Sequence, residues 1–259
     1  MIVIDATPQL FNPLIAGPSL WLNFDAASYS NGIWSDKSGF GRNFSASDVT
    51  FRPTFFANGI NNRGSLSFDG VNDRLQRTPE AWAYQYPLTI FVLFRASSYV
   101  TYSSLLEFYS STGGTAGWTL LIKNNLRSAI YCTSTSGQPG YDGSGALTYP
   151  LNETHLFVAV ITNNRVESWG NGAADGISYF NQTLRTNLGT SPLTIGASTL
   201  FNRFNPVLMA TVFIVPSDLS ATRRQVLEGH FAWESGINLR LPTNHLFRTT
   251  RPVASNWQA

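Results

Sequence analysis

The stretch that decides the fold runs from Asn58 to Leu75, NGINNRGSLSFDGVNDRL. Ser65–Phe68 is a short run of strand residues in which Leu66 and Phe68 share one face, as period-two alternation requires. Asp69-Gly70 then breaks the strand, because Gly accepts positive φ and Asp bonds its own local backbone. Asn72 and Asp73 follow, so three oxygen-bearing side chains lie within five positions before Leu75 restarts the apolar pattern. Two readings fit this spacing. One is a plain tight turn. The other is a loop for a hard cation, since Ca²⁺ takes several carboxylate and carbonyl oxygens from irregular backbone.

Outward from this stretch the chain reads as a series of short strands. Leu20–Phe24 and Pro53–Phe56 precede it. Leu88–Ala96 (LTIFVLFRA) is nearly continuously apolar, as expected of a strand covered on both faces. Leu105–Tyr109, Trp118–Lys123 and Arg127–Thr133 come next, the last two forming a hairpin around Asn124-Asn125. Ser134–Ser144 (STSGQPGYDGS) reads as the longest loop. His155–Thr162, Val166–Trp169, Thr183–Leu188, Leu193–Ala197 and Val207–Val215 complete the series. The pattern then changes. Ser220 is placed to cap a helix over Ala221–Trp233, with Val226, Leu227 and Phe231 on one face and Gly236 after its end.

About a dozen strands with frequent turn signals, and no helices between them, argue an all-β, two-sheet antiparallel sandwich with one C-terminal helix. No linker divides the chain. The organisation expected is an N-terminal arm over residues 1–19, punctuated by Pro8, Pro13 and Pro18, one domain over 20–247 and a polar tail over 248–259.

Composition narrows the function classes. Of 259 residues, 43% are apolar and 14% aromatic, enough for a sizeable core. Only 12% are charged and the net charge is +2, with Lys37 and Lys123 the only lysines. No basic run marks a nucleic-acid surface. Cys132 is alone, which excludes an internal disulfide and a thiolate metal site and reads as a buried apolar residue. The N-terminal residues lack the basic start of a signal peptide. The longest apolar runs are too short to span a bilayer, so membrane insertion is not expected.

At both ends the residues resemble one family. Leu20-Trp21-Leu22, Trp34-Ser-Asp36-x-Ser38-Gly39-x-Gly41, Pro53, Asn58-Gly59 and Phe68-Asp69-Gly70-x-Asn72-Asp73 look like the opening of a laminin-G-like, concanavalin-A-type jelly roll. Ile195-Gly196, Leu219-Ser220, Gly229-His-Phe-Ala-Trp233 and Leu241-Pro242-x-Asn-His245 look like its close, in the form found in bacterial and phage structural proteins. Arg74 departs from the pattern, standing where the family commonly has an aromatic. The resemblance implies two antiparallel sheets, one concave, and edge loops that bind sugars or protein surfaces. It also implies Ca²⁺ near acidic loop residues, which by position are Asp69, Asn72 and Asp73.

Glycan hydrolysis on such a fold needs two carboxylates close together on one sheet face. No alternating acidic strand exists; Glu107, Glu153, Glu167 and Glu228 are isolated and read as solvated or salt-bridged. His155, His230 and His245 are far apart in sequence, and the first two read as structural. The expectation is a non-enzymatic protein. Binding is left: exposed aromatics stack on sugar faces while short polar side chains bond the hydroxyls. The candidates are Tyr99, Tyr102, Trp118, Tyr141 and Trp169, with Asp142, Asn171 and Asp175 beside them; Trp21, Trp34, Trp82 and Trp233 are assigned to the core. The role expected is that of a virion structural protein, a phage head decoration or tail component. It would contact other virion proteins or its own copies, or attach to host-surface glycan. The alternatives are a secreted or cell-surface carbohydrate-binding module and, third, a glycan hydrolase.

Overall fold

The computed structural model describes residues 8–101, 104–108, 117–134, 139–180, 183–187, 191–198 and 202–258, with only the backbone of Ala26 and 139–144. Two large antiparallel sheets face each other. One has the strand order Ala173–Tyr179, Arg165–Gly170, His155–Ile161, Leu88–Ala96, Pro206–Val215, Arg63–Asp69, Thr54–Ile60, and Leu20–Leu22 also pairs with Pro206–Val215. The other has the order Pro139–Thr148, Arg127–Thr133, Trp118–Ile122, Ser104–Phe108, Leu193–Ile195, Leu75–Arg77, Phe44–Ser45, Ile33–Trp34, Tyr29–Ser30. The fold is a jelly-roll β sandwich carrying a single α-helix, Ala221–Glu234.

Alternation explains where the core sits. On Leu88–Ala96 the even-numbered side chains Leu88, Ile90, Val92, Phe94 and Ala96 point between the sheets. Phe91 and Leu93 point the other way, into a second apolar layer under the helix. The near-continuous apolar run is therefore a strand buried on both faces. Phe231 of the helix packs on Phe91 and Phe213, at ring-centroid distances of 5.7 and 5.2 Å. Ser220 caps the helix, its Oγ accepting from Arg223 N. Among the described residues no helix is long and apolar enough to cross a membrane.

The first and last described segments meet on the helix side. Leu10 bridges Val253, Phe11 N donates to Pro252 O, and Phe11 stacks against Trp257.

Two elements differ from expectation. Pro139–Thr148, read as mostly loop, is a strand at the end of the nine-stranded sheet, paired with Arg127–Thr133 through two register shifts. Its glycines hide the period. Gly145 is required by contact, since a Cβ there would lie 2.2 Å from the Asp175 carboxylate. Around Thr183–Leu188, the described residues show a lone bridge between Leu184 and Ser134 where a strand was expected.

Candidate functional site

The Asp69–Asp73 loop is wired from within. Asp69 Oδ1 accepts the backbone N–H of Val71, Asn72 and Asp73 at 2.8, 3.1 and 3.2 Å. Asp73 Oδ2 accepts the N–H of Asp69 at 2.9 Å, and Gly70 sits at φ 79° against Pro206. Burial alone would raise the Asp69 carboxyl, but the backbone N–H groups around it hold it below its ordinary value. Asp73, buried and beside the Asp69 carboxylate, is pushed up to about 6, burial being the main cause.

This arrangement places Asp69, Asn72 and Asp73, the residues expected to ligate Ca²⁺, in a turn bonded from within. A cation on the loop would face the N–H dipoles that converge on Asp69 Oδ1 and would find Asp73 Oδ2 already engaged. Among the described residues no group of three His, Cys, Asp or Glu side chains is placed to hold a metal. Ca²⁺ takes six to eight oxygens; this donor set fits a turn.

The turn instead forms one wall of an open groove. The cavity measures about 320 Å³ and lies on the outer face of the eight-stranded sheet. Its polar lining is Ser67, Asp69, Arg95, Ser97 and Asn152, and Pro206 and Leu208 supply apolar wall. Register builds it: Leu208 lies opposite Ser67 on one side and Arg95 on the other, and Pro206 lies opposite Asp69. A bulge between Phe56 and Ile60 brings the Gly59 carbonyl to Arg95, whose Nη2 donates to it at 2.5 Å. Gly59 allows this approach, for a Cβ there would lie 1.8 Å from Ser65 Oγ. The rest of the guanidinium, and Asp69 Oδ2, have no partner among the described residues.

The other predicted binding residues whose side chains are described do not gather at one place. Trp118 is fully buried in the core, its indole N–H donating to Ala83 O at 2.7 Å. The tryptophan opens the strand expected there, but its ring lies in the core, which corrects its assignment to ligand contact. Tyr99 packs half-buried against the core, with its hydroxyl on Tyr149 O. Trp169 lies under the Arg224 guanidinium, 4.0 Å from its ring centroid, within the helix layer. Asn171 is a turn residue at φ 48°, its Oδ1 accepting from Leu156 N. Tyr102 lies outside the described residues, as do the side chains of Tyr141 and Asp142. The backbone of Asp142 pairs with Tyr131.

Three buried carboxylates were not legible as such. Asp175 accepts from Ser128 Oγ, Tyr149 Oη and Leu147 N at 2.5, 2.9 and 2.7 Å, joining the edges of the two sheets. Glu228 takes Arg224 Nη1 at 2.5 Å on one oxygen and His245 Nε2 at 3.0 Å on the other. His245 Nδ1 accepts the N–H of Phe247, so Nε2 carries the proton toward Glu228. Glu107, expected to be solvated or salt-bridged, is 2% exposed and accepts from Ser198 Oγ. Each is bonded by the fold's own donors. Arg95 is the residue that sequence reading missed. The signal was a single cation at an outward position of an otherwise apolar strand.

No protein-family model and no curated protein matches the sequence. Among solved structures, the fold is similar to the binding domain of Paraclostridial Mosquitocidal Protein 1, with TM-score 0.65 and 12% identity over 84% of this chain and 53% of that one. It is also similar to the binding domain of Botulinum neurotoxin serotype G, with TM-score 0.62 and 14% identity over 85% of this chain and 52% of that one. This chain thus spans about half the length of either toxin structure. A third similar structure is domain 4 of AbnA, a GH43 extracellular arabinanase from Geobacillus stearothermophilus, in complex with arabinotriose. It matches with TM-score 0.61 and 12% identity over 79% of this chain and 94% of that one. At these identities the likeness is one of fold: the chain is an antiparallel β sandwich.

Proposed function

We propose that the chain is a non-catalytic carbohydrate-binding module and that its sugar sits in the groove on the eight-stranded sheet. The observation that carries this reading is the pair of side chains facing the groove: Arg95 and Asp69, each without an ionic partner among the described residues. A cleft of a few hundred Å³ with a few convergent polar groups is the usual form of a small-ligand site. Fold alone does not assign function, but a domain of similar fold, the arabinanase domain 4, is described in complex with a saccharide. The non-catalytic part rests on the buried carboxylates Glu107, Asp175 and Glu228, which hydrogen bonds commit to the fold. Glycoside cleavage needs two carboxylates free to flank a bond. Attachment from a virion and attachment from a secreted protein would use the same groove chemistry, and neither is favoured by it.

A glycan array probed with the labelled full chain tests the reading. Saturable binding that free sugar competes away, with no cleavage product after prolonged incubation, is the expected result. Absence of any glycan binding overturns the binding role, and product formation overturns the non-catalytic one.

A further inference from the structure

The groove's charges are balanced, and that bears on what it selects. Arg95 spends one nitrogen on the Gly59 carbonyl and keeps the remaining N–H groups of its fork for a ligand. Asp69 spends Oδ1 on the turn and keeps Oδ2, and its lowered pKa keeps it ionised. No ion pair joins the two side chains within the described residues. An anionic ligand drawn to Arg95 would meet the Asp69 carboxylate, and a cationic one drawn to Asp69 would meet the guanidinium. A hydroxyl is donor and acceptor at once. Two neighbouring hydroxyls satisfy both walls, accepting from Arg95 and donating to Asp69, in charge-assisted bonds stronger than neutral ones.

Size and surface add two further restrictions. About 320 Å³ is at the small end for a ligand site, room for one sugar ring and its immediate attachments. The aromatic residue lining the groove, Phe68, is only 1% exposed because it faces the core, so no aromatic platform is presented among the described residues. The C–H face of a ring would rest on Pro206 and Leu208.

We infer that the groove recognises a single uncharged sugar residue, gripping one pair of adjacent hydroxyls between Arg95 and Asp69, and discriminates against acidic and amino sugars. This rests on the carbohydrate-binding reading above.

The test is saturation-transfer NMR and calorimetry on the full chain with arabinose, galactose and glucose, and with glucuronic acid and glucosamine as charged counterparts. The variants are Arg95→Ala, Arg95→Lys, Asp69→Asn and Ser97→Trp, each checked for an unchanged melting profile. Asp69→Asn keeps the oxygen that the turn uses. Expected are binding of at least one neutral sugar, a tenfold or greater loss in Arg95→Ala and Asp69→Asn, and a smaller loss in Arg95→Lys, which keeps the charge without the fork. Ser97→Trp, at the exposed rim, should abolish binding. A charged sugar that binds as tightly as the best neutral one, or more tightly, overturns the selectivity. Array binding that persists in all four variants overturns the groove assignment and leaves the carbohydrate reading standing. Absence of binding to any sugar, in solution and on the array, overturns both.

Discussion

The Tyr149 hydroxyl donates to Asp175 at 2.9 Å, and this contact fastens the edge of one sheet to the edge of the other. Asp175 belongs to an edge strand of the eight-stranded sheet, and Tyr149 follows an edge strand of the nine-stranded one. Ser128 Oγ, Leu147 N and, at 3.4 Å, Ser168 Oγ complete the carboxylate's shell. Asp175→Ala would strand the buried hydroxyls of Ser128, Tyr149 and Ser168 and the N–H of Leu147. Hydrogen bonds to a charged group are worth about 1.5–3 kcal/mol each and are not additive. The expected loss is about 3–5 kcal/mol in urea unfolding, with Asp175→Asn losing less because one acceptor oxygen remains.

Trp118→Ala should cost about 3–5 kcal/mol, the range for deleting a large core aromatic. Trp118→Phe should cost less and leave sugar binding unchanged, since the indole lies in the core between the sheets. A Trp118→Phe protein that folds normally but loses binding would contradict the placement of the groove on the other sheet.

The Asp69–Asp73 turn gives a pH signature with opposing signs. Asp73, raised to about 6, contributes stability that is fully present below its unfolded pKa near 4 and is lost as pH rises through about 6. Asp69, lowered, contributes stability present above its unfolded pKa and lost as pH falls through its folded value. Wild type should therefore gain on Asp73→Asn in melting temperature between pH 7 and pH 4. A gap between the two proteins that stays constant over that range would show that Asp73 is not desolvated.

Adding Ca²⁺ or a chelator should leave the melting temperature unchanged. A ligand that binds the native state raises stability by mass action. An upward shift with Ca²⁺ that Asp73→Asn removes would mean that the loop opens to take the ion.

Glu228→Ala should destabilise by about 3–5 kcal/mol, because Arg224, itself buried, would be left without its carboxylate. Equilibrium unfolding of Glu228→Ala against Glu228→Gln measures this, and Gln should recover part of the loss by accepting from one of the two partners.

The sandwich was readable from sequence where side-chain period and burial agree. Leu88–Ala96 is nearly continuously apolar because one face meets the opposite sheet and much of the other meets the helix layer. The Ala221–Glu234 helix was readable from its Ser220 cap and the Val226–Leu227–Phe231 face. Pro139–Thr148 was not readable, because glycines at 140, 143 and 145 erase the alternation and its pairing is set by a neighbour elsewhere in the chain. The groove was half readable. Asp69 stood out by its turn chemistry. Arg95 gains its role only from the Gly59 bulge and from Leu208 opposite, both brought in from distant sequence. Trp118 begins the strand expected of it, but its role was misassigned, because the sequence does not show that both faces of this strand are covered.

The pairing of Leu10 with Val253 has a mechanical consequence. The two segments run antiparallel with their outer ends on the same side. Tension drawn through both ends would therefore open their contacts one after another, as a zipper opens, where a sheared pair would resist with all its bonds together. Phe11 and Trp257 would come off the helix first, and the sandwich beneath would feel the load only after that release. Held by both ends, the molecule would yield at its helix side long before its groove changed shape.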